Sequence, residues 1–209
     1  MSSIDKKNLI NEIVRRLEEK SLSIFLGAGM SYDACRLDWT TLIKPYAEQL
    51  DTEVKDPIDA LQYYQTSKGV EPIVLKKEIS DNFLGLKGDI RHQILSKLPV
   101  RNYWTTNFDT IMEDSITDVG FKRDLINNND AFITAQERRD NIVYKLHGDV
   151  NTPKDVVILR DDYDNYPNTH SHFITALTNE FATNSMLFLG YSLNDPDIYN
   201  VLNCLKLQN

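Results

Sequence analysis

Ser21-Leu22-Ser23-Ile24-Phe25-Leu26 runs directly into Gly27-Ala28-Gly29-Met30-Ser31. The first part has the length and apolar content of a short strand, and the glycines of the second part stop it. A turn of this kind lets backbone come close to a bound group. A helix starting after it would aim free N–H groups at a phosphate. The third glycine of the dinucleotide fingerprint is missing, so the segment reads equally well as a plain strand-to-helix turn.

Outward from this stretch the same alternation recurs. Strand-sized apolar runs stand at Tyr103-Trp104-Thr105, Ile142-Val143-Tyr144-Lys145-Leu146, Val156-Val157-Ile158-Leu159 and Met186-Leu187-Phe188-Leu189. Helical periodicity predicts helices over 4–19, 39–50, 57–67, 70–82, 89–97 and 169–183, with another starting near Pro196. In the first of these, Leu9, Ile13 and Leu17 form an apolar stripe that reads as core-facing or, alternatively, as a docking surface. Short strands separated by helices predict a Rossmann-like α/β fold, a parallel sheet covered on both faces. The helical block over about 38–98 reads as an insertion within a single domain spanning 1–209.

Composition narrows the function classes. The chain has 209 residues, 41% of them hydrophobic and 26% charged, as in an ordinary soluble domain. Its net charge of −8 argues against a broad nucleic-acid-binding face. No apolar run approaches the ~20 residues of a membrane span. Met1-Ser2-Ser3-Ile4-Asp5-Lys6 lacks the apolar core of a secretion signal. Cys35 and Cys204 stand alone, which excludes a four-cysteine zinc site and fits a reducing cytoplasm.

In parallel sheets ligands bind beyond the carboxyl ends of the strands, so the segment after each strand carries the chemistry. After the second comes Thr105-Thr106-Asn107-Phe108-Asp109. Asn107 can cap a helix beginning at Phe108, with Asp109 placed against its dipole, or can orient a ribose hydroxyl or a water. After the third comes His147-Gly148-Asp149. A histidine ending an apolar strand suits general base work, although a lone histidine is more often a structural side chain. After the last comes Gly190-Tyr191-Ser192-Leu193-Asn194-Asp195-Pro196-Asp197, where Asp195-Pro196 signals a helix start and Ser192 and Asn194 add donors. The acidic run Asp161-Asp162-Tyr163-Asp164 reads as a solvated loop, since it lacks the glycine and terminal glutamate of a calcium hand. Trp39 and Trp104 read as core or cleft walls, and Arg138-Arg139 is too small a basic patch for nucleic acid.

Taken together and in this order, Phe25–Ser31, Thr105–Asp109, Lys145–Asp149 and Leu189–Ser192 resemble the sirtuin superfamily, and more closely the sirtuin-like NAD-destroying domains of bacterial anti-phage defence proteins. The resemblance covers about 22–200. It implies that Gly27, Ala28, Gly29 and Ser31 cradle NAD phosphates and ribose, with Thr106 beside them. It implies further that Asn107 positions the nicotinamide ribose or the attacking water, that Asp109 faces the nicotinamide, and that His147 is the general base. Gly190, Ser192 and Asn194 would line the adenosine side.

Deacylating sirtuins carry a four-cysteine zinc module and a glutamine before the asparagine. This chain has two cysteines in all and Thr106 at that place. The expected activity is therefore NAD glycohydrolysis to nicotinamide and ADP-ribose, depleting cell NAD in abortive infection, with NAD as substrate and no zinc. The alternatives are NAD cyclisation or ADP-ribosyl transfer, and a non-catalytic NAD- or ADP-ribose-binding sensor. Restraint of such an activity implies a homo-oligomer or a regulatory partner, such as a defence sensor that handles nucleic acid.

Overall fold

The computed structural model describes residues 3–134 and 139–192. Its five strands are β1 (Leu22–Leu26), β2 (Asn102–Thr105), β3 (Arg123–Ile126), β4 (Asn141–Lys145) and β5 (Ser185–Leu189). They form one parallel sheet in the order β3-β4-β2-β1-β5. The helices are α1 (Ser3–Glu18), α2 (Ala28–Cys35), α3 (Trp39–Ala47), α4 (Pro57–Lys68), α5 (Pro72–Ser80), α6 (Ile90–Leu95), α7 (Ile111–Asp118), α8 (Asn129–Thr134), α9 (Arg160–Thr169) and α10 (Ser171–Thr183).

β1 pairs on both sides, Ile24 lying beside Tyr103 of β2 and Leu187 of β5. All five of its residues are buried, as expected of an inner strand covered on both faces. Successive side chains alternate between the faces. Ile24, Leu26 and Tyr103 pack with Met112 and Ile116 of α7 and with Ile13 and Leu17 of α1. Phe25 and Trp104 pack on the other face with Tyr166 of α9 and with Phe173 and Leu177 of α10. Trp104 is fully buried and stacks on Tyr144 at 4.0 Å, a core role. The stripe on α1 divides: Ile13 and Leu17 reach the core, while Leu9 stays exposed with Ile10 and Val14.

Between α2 and β2 lie α3 to α6, set off by local signals that act as capping rules require. Asp38, Asp56 and Asp89 accept from free N–H groups at the starts of α3, α4 and α6, and Pro57 opens α4. These helices bury Leu42, Ile43, Leu61, Leu75 and Ile79 against Phe108 and Val150, which belong to the loops after β2 and β4. Each such side chain contributes roughly 1.5–3 kcal/mol through burial. The helical block is thereby held over the carboxyl edge of the sheet.

Four local expectations are corrected. Val156-Val157-Ile158-Leu159 is buried but is not a strand. Asp162 accepts from the N–H groups of Ile158 and Leu159, so a carboxylate replaces the ladder partner that an apolar run suggests. The acidic run Asp161-Asp162-Tyr163-Asp164 lies not in a solvated loop but in the first turns of α9, where negative charge meets the helix dipole. Asp162 also pairs with Lys76 of α5 at 2.6 Å. The helix after β2 begins at Ile111 rather than Phe108, and Asp109, not Asn107, accepts from its first N–H. Finally, β3 has no counterpart among the expected strands. Arg123-Asp124-Leu125-Ile126 is an edge strand with one fully buried residue, Ile126, and so lacks an apolar run.

Candidate active site

The turns after β1 and β5 are stitched together. Gly27 N donates to Leu189 O and Gly29 N to Gly190 O, both at 2.9 Å. A Cβ at Gly27 would stand 2.5 Å from the Gly190 carbonyl oxygen. Gly190 itself has φ +63°, and a Cβ there would lie 2.5 Å from Met30 N. These glycines are thus demanded first by two backbones that cross, before any ligand is considered. Behind the crossing, Gly27 caps the N-terminus of α2 without a side-chain bond.

In front of it opens a cleft of about 420 Å³, within the range of small-molecule sites. Ala28, Gly29 and Ser31 line it from α2, and Gly190 and Ser192 from the turn after β5. Thr106, Asn107 and Asp109 enter from the loop after β2, and His147 from the turn after β4. The fold therefore gathers these separated motifs on one wall. Gly27 lies behind that wall, bonded to Asn107, while Asn194 and the helix expected from Pro196 fall outside the described residues. The opposite wall has no sequence signature of a site, apart from Trp39 as a possible cleft wall. It is mostly apolar, built from Leu37, Trp39, Leu42, Ile58 and Phe83 of the segment inserted between β1 and β2, with Asp38 as its charged member. Helical periodicity marks those residues only as core.

Asn107 is held on three sides. Its backbone N–H donates to Thr105 Oγ1 at 2.9 Å, and Nδ2 donates to Gly27 O at 3.1 Å and to Ser31 Oγ at 3.0 Å. The Gly27 carbonyl can only accept, which fixes the amide with nitrogen toward α2 and leaves Oδ1 as an acceptor with no donor among the described residues. Asp109 is buried. Its Oδ1 accepts from Ile111 N at 3.0 Å, whereas Oδ2 has no hydrogen-bond partner among the described residues. His147 is buried with its ring edge-on to Tyr163 and Tyr166 of α9, at 5.4 and 6.1 Å. Gly148 follows with φ +83°, a backbone state that suits glycine.

Lys145, the last residue of β4, lies within the third motif, where sequence alone assigns it no role. It is fully buried, with Nζ 2.9 Å from Phe108 O, 2.6 Å from Asp149 Oδ2 and 2.9 Å from Glu113 Oε1, and it also donates to Asp109 O. Burial opposes its charge, but the carboxylates of Glu113 and Asp149 outweigh that and hold its pKa above the ordinary lysine value. No cluster of histidine, cysteine, aspartate and glutamate among the described residues could hold a metal ion, and no described helix is long and apolar enough to cross a membrane.

A family model described as SIR2-like domain matches residues 101–209, more than half of the chain. The chain belongs to the SIR2-like family. The matched region includes the Asn107 and His147 segments and the turn after β5, while the Gly27–Ser31 turn lies before it. Among curated proteins, this SIR2-like chain is similar to "NAD(+) hydrolase ThsA" of Cytobacillus dafuensis, 33% identical over 97% of the chain and 42% of the relative. A protein of the same name from Acinetobacter baumannii is 31% identical over 97% of the chain and 43% of the relative. "Defense-associated sirtuin 2" of Bacillus subtilis is 26% identical over 94% of the chain and 20% of the relative. The chain spans less than half the length of these relatives.

Proposed function

We propose that this cleft hydrolyses NAD to nicotinamide and ADP-ribose. Water attacks the anomeric carbon of the nicotinamide-bearing ribose, and His147 takes its proton. The C–N bond to nicotinamide breaks, and its electron pair stays with the departing, now neutral, ring. The observation that carries the reading is the pair of acceptors on one loop that have no donor among the described residues, Asn107 Oδ1 and the buried Asp109 Oδ2. A buried oxygen without a partner costs about 1–3 kcal/mol, a cost removed when a ligand supplies the donor. A nicotinamide carboxamide offers that N–H to Asp109. Asn107 Oδ1 accepts from a ribose hydroxyl or from the attacking water, beside the positive charge that develops as the bond breaks. The remaining wall, Ala28, Gly29, Ser31 and Thr106 with Gly190 and Ser192, receives the phosphates and the adenosine side, with Asn194 assigned there from the resemblance.

The names of the relatives, NAD(+) hydrolase and defence-associated sirtuin, support the same reading and its extension to anti-phage defence by depletion of NAD. The experiment is incubation of the protein with NAD and chromatographic separation of the products. Equimolar nicotinamide and ADP-ribose are expected. Cyclic ADP-ribose or a modified acceptor would move the reading to cyclisation or transfer, and saturable binding with NAD intact would leave a sensor.

Control of the activity is assigned to assembly, as a homo-oligomer or with a regulatory partner. Specific activity per protomer then rises as the protein oligomerises, because ordering of the cleft raises the competent population. A dilution series of NAD hydrolysis read alongside mass by light scattering tests this. High activity that stays constant down to a proven monomer would defeat it.

A further inference from the structure

The buried cation beneath the cleft takes part in no step of the proposed reaction, yet it touches both loops that carry the attack. Lys145 sits where β4 runs beside Thr105 of β2, directly under the carboxyl edge. Its ammonium has three N–H donors and no acceptor, and it is surrounded by two carbonyls and two carboxylates from three separate segments. The carbonyls, of Phe108 and Asp109, belong to the loop that bears Asn107. The Asp149 carboxylate belongs to the turn that bears His147, and it is held in turn by N–H groups of Asn151, backbone and side chain, at 2.8 Å each. Glu113 comes from α7. A direct link, Val150 N to Phe108 O at 3.1 Å, closes the same circuit.

A buried cation with acceptors on separate segments fixes direction as well as charge, since its hydrogen bonds tie the Phe108–Asp109 loop to the Asp149 turn. An apolar residue of the same length would fill the space without joining the two loops. We propose that Lys145 is a positioning residue for NAD cleavage, its ammonium setting the spacing between the Asn107–Asp109 loop and the His147 turn. This rests on the NAD-hydrolysis reading for the reaction, though not for the placement of the loop. Lys145 does not line the cleft. It acts through Asn107, Asp109 and His147, whose relative placement must hold to within a fraction of an ångström for the attack geometry.

The test compares the full chain with Lys145→Met and with Lys145→Met combined with Glu113→Gln. The double variant removes one of the two acids that faced the ammonium, Glu113, so the net charge of the buried cluster is unchanged while Asp149 keeps its bonds from Asn151, and the experiment stays decisive if the single variant does not fold. Three quantities are read: ADP-ribose affinity by calorimetry, kcat and KM for nicotinamide release, and the side-chain amide resonance of Asn107 in the unligated protein. The expected result is a cooperatively folded double variant that binds ADP-ribose with wild-type affinity and keeps its KM. Its kcat falls by ~10²-fold, the usual cost of a misplacement of about 1 Å, and the Asn107 resonance shifts. A folded double variant with wild-type kcat and an unmoved resonance overturns the proposal, as does a loss of kcat that only follows the loss of folded protein. If the wild-type chain releases no nicotinamide even at concentrations where light scattering shows it assembled, and binds no ADP-ribose, the NAD reading fails by itself. The Asn107 resonance still decides the role of Lys145: a shift supports it and an unmoved signal refutes it.

Discussion

Gly190 and Gly69 form a matched pair for measuring the backbone crossing beneath the cleft. Both are left-handed, with φ of +63° and +64°. At Gly69, at the end of α4, an added methyl would meet nothing within 4 Å, whereas at Gly190 the Met30 nitrogen would be 2.5 Å away and the Gly29 carbonyl carbon 2.8 Å. Alanine at Gly69 therefore costs only the conformational strain of a left-handed residue, roughly 1–2 kcal/mol. Alanine at Gly190 incurs the same strain plus overpacking against backbone that cannot rotate away, roughly 1–3 kcal/mol more. For a domain of this size 1 kcal/mol moves the midpoint by about 2–4 °C, so Gly190→Ala should melt about 6 °C below Gly69→Ala. The clash also pushes the Gly27–Ser31 turn outward. ADP-ribose affinity should thus fall in Gly190→Ala and stay unchanged in Gly69→Ala. Thermal melts and calorimetry on the two variants decide. Equal melting midpoints, or equal affinities, would refute the claim that the two turns are in contact and share the ligand wall.

Asn107→Ala and His147→Ala should each keep the fold and lower nicotinamide release by ~10²–10⁴, as loss of a general base or its aligned partner does; circular dichroism beside product assay checks both, and near-native turnover in the double variant removes them from the mechanism. Elemental analysis of the purified protein should find no stoichiometric zinc, and an acetylated peptide with NAD should keep its acetyl group. The side chain of Arg91 bonds Asp89 at 2.7 Å and holds its carboxyl well below the usual carboxylate range. A depressed folded-state pKa gives stability that is present above the unfolded value and lost as pH falls, so the melting difference between wild type and Asp89→Asn should shrink progressively below about pH 5; a difference that is constant with pH would show that Asp89 acts only as a cap.

The inner strands were legible because residues buried on both faces must be apolar in unbroken runs, as in Ile24-Phe25-Leu26 and Tyr103-Trp104. The same signal misled at Val156–Leu159, because burial alone produces it and hydrogen bonding decides whether a strand forms. There Asp162 supplies the acceptor, from a run that looked solvated because aspartates at a helix start and aspartates in a loop have the same composition. Edge strand β3 was silent for the converse reason: with one edge unpaired it can be polar. The residues at the strand ends were visible one by one, but each was ambiguous until the fold set them around one cleft. The apolar wall of the cleft and the Lys145 network depend on contacts between segments far apart in the chain, which periodicity does not encode. The glycines at 27 and 29 stand out in the sequence for closeness to a ligand; they serve closeness to Gly190 first.

That crossing joins residues more than 160 positions apart, and the difference between Gly27 and Gly190 has a consequence in time. Chains emerge from the ribosome at about 5–20 residues per second, amino end first. The β1 turn, the Asn107 loop and the His147 turn are all made before β5 exists. Until β5 docks beside β1, the Gly27 and Gly29 amides have no Leu189 and Gly190 carbonyls to meet, and the part of the cleft lined by Gly190, Tyr191 and Ser192 is missing. In a growing chain the cleft is accordingly incomplete until synthesis has passed β5.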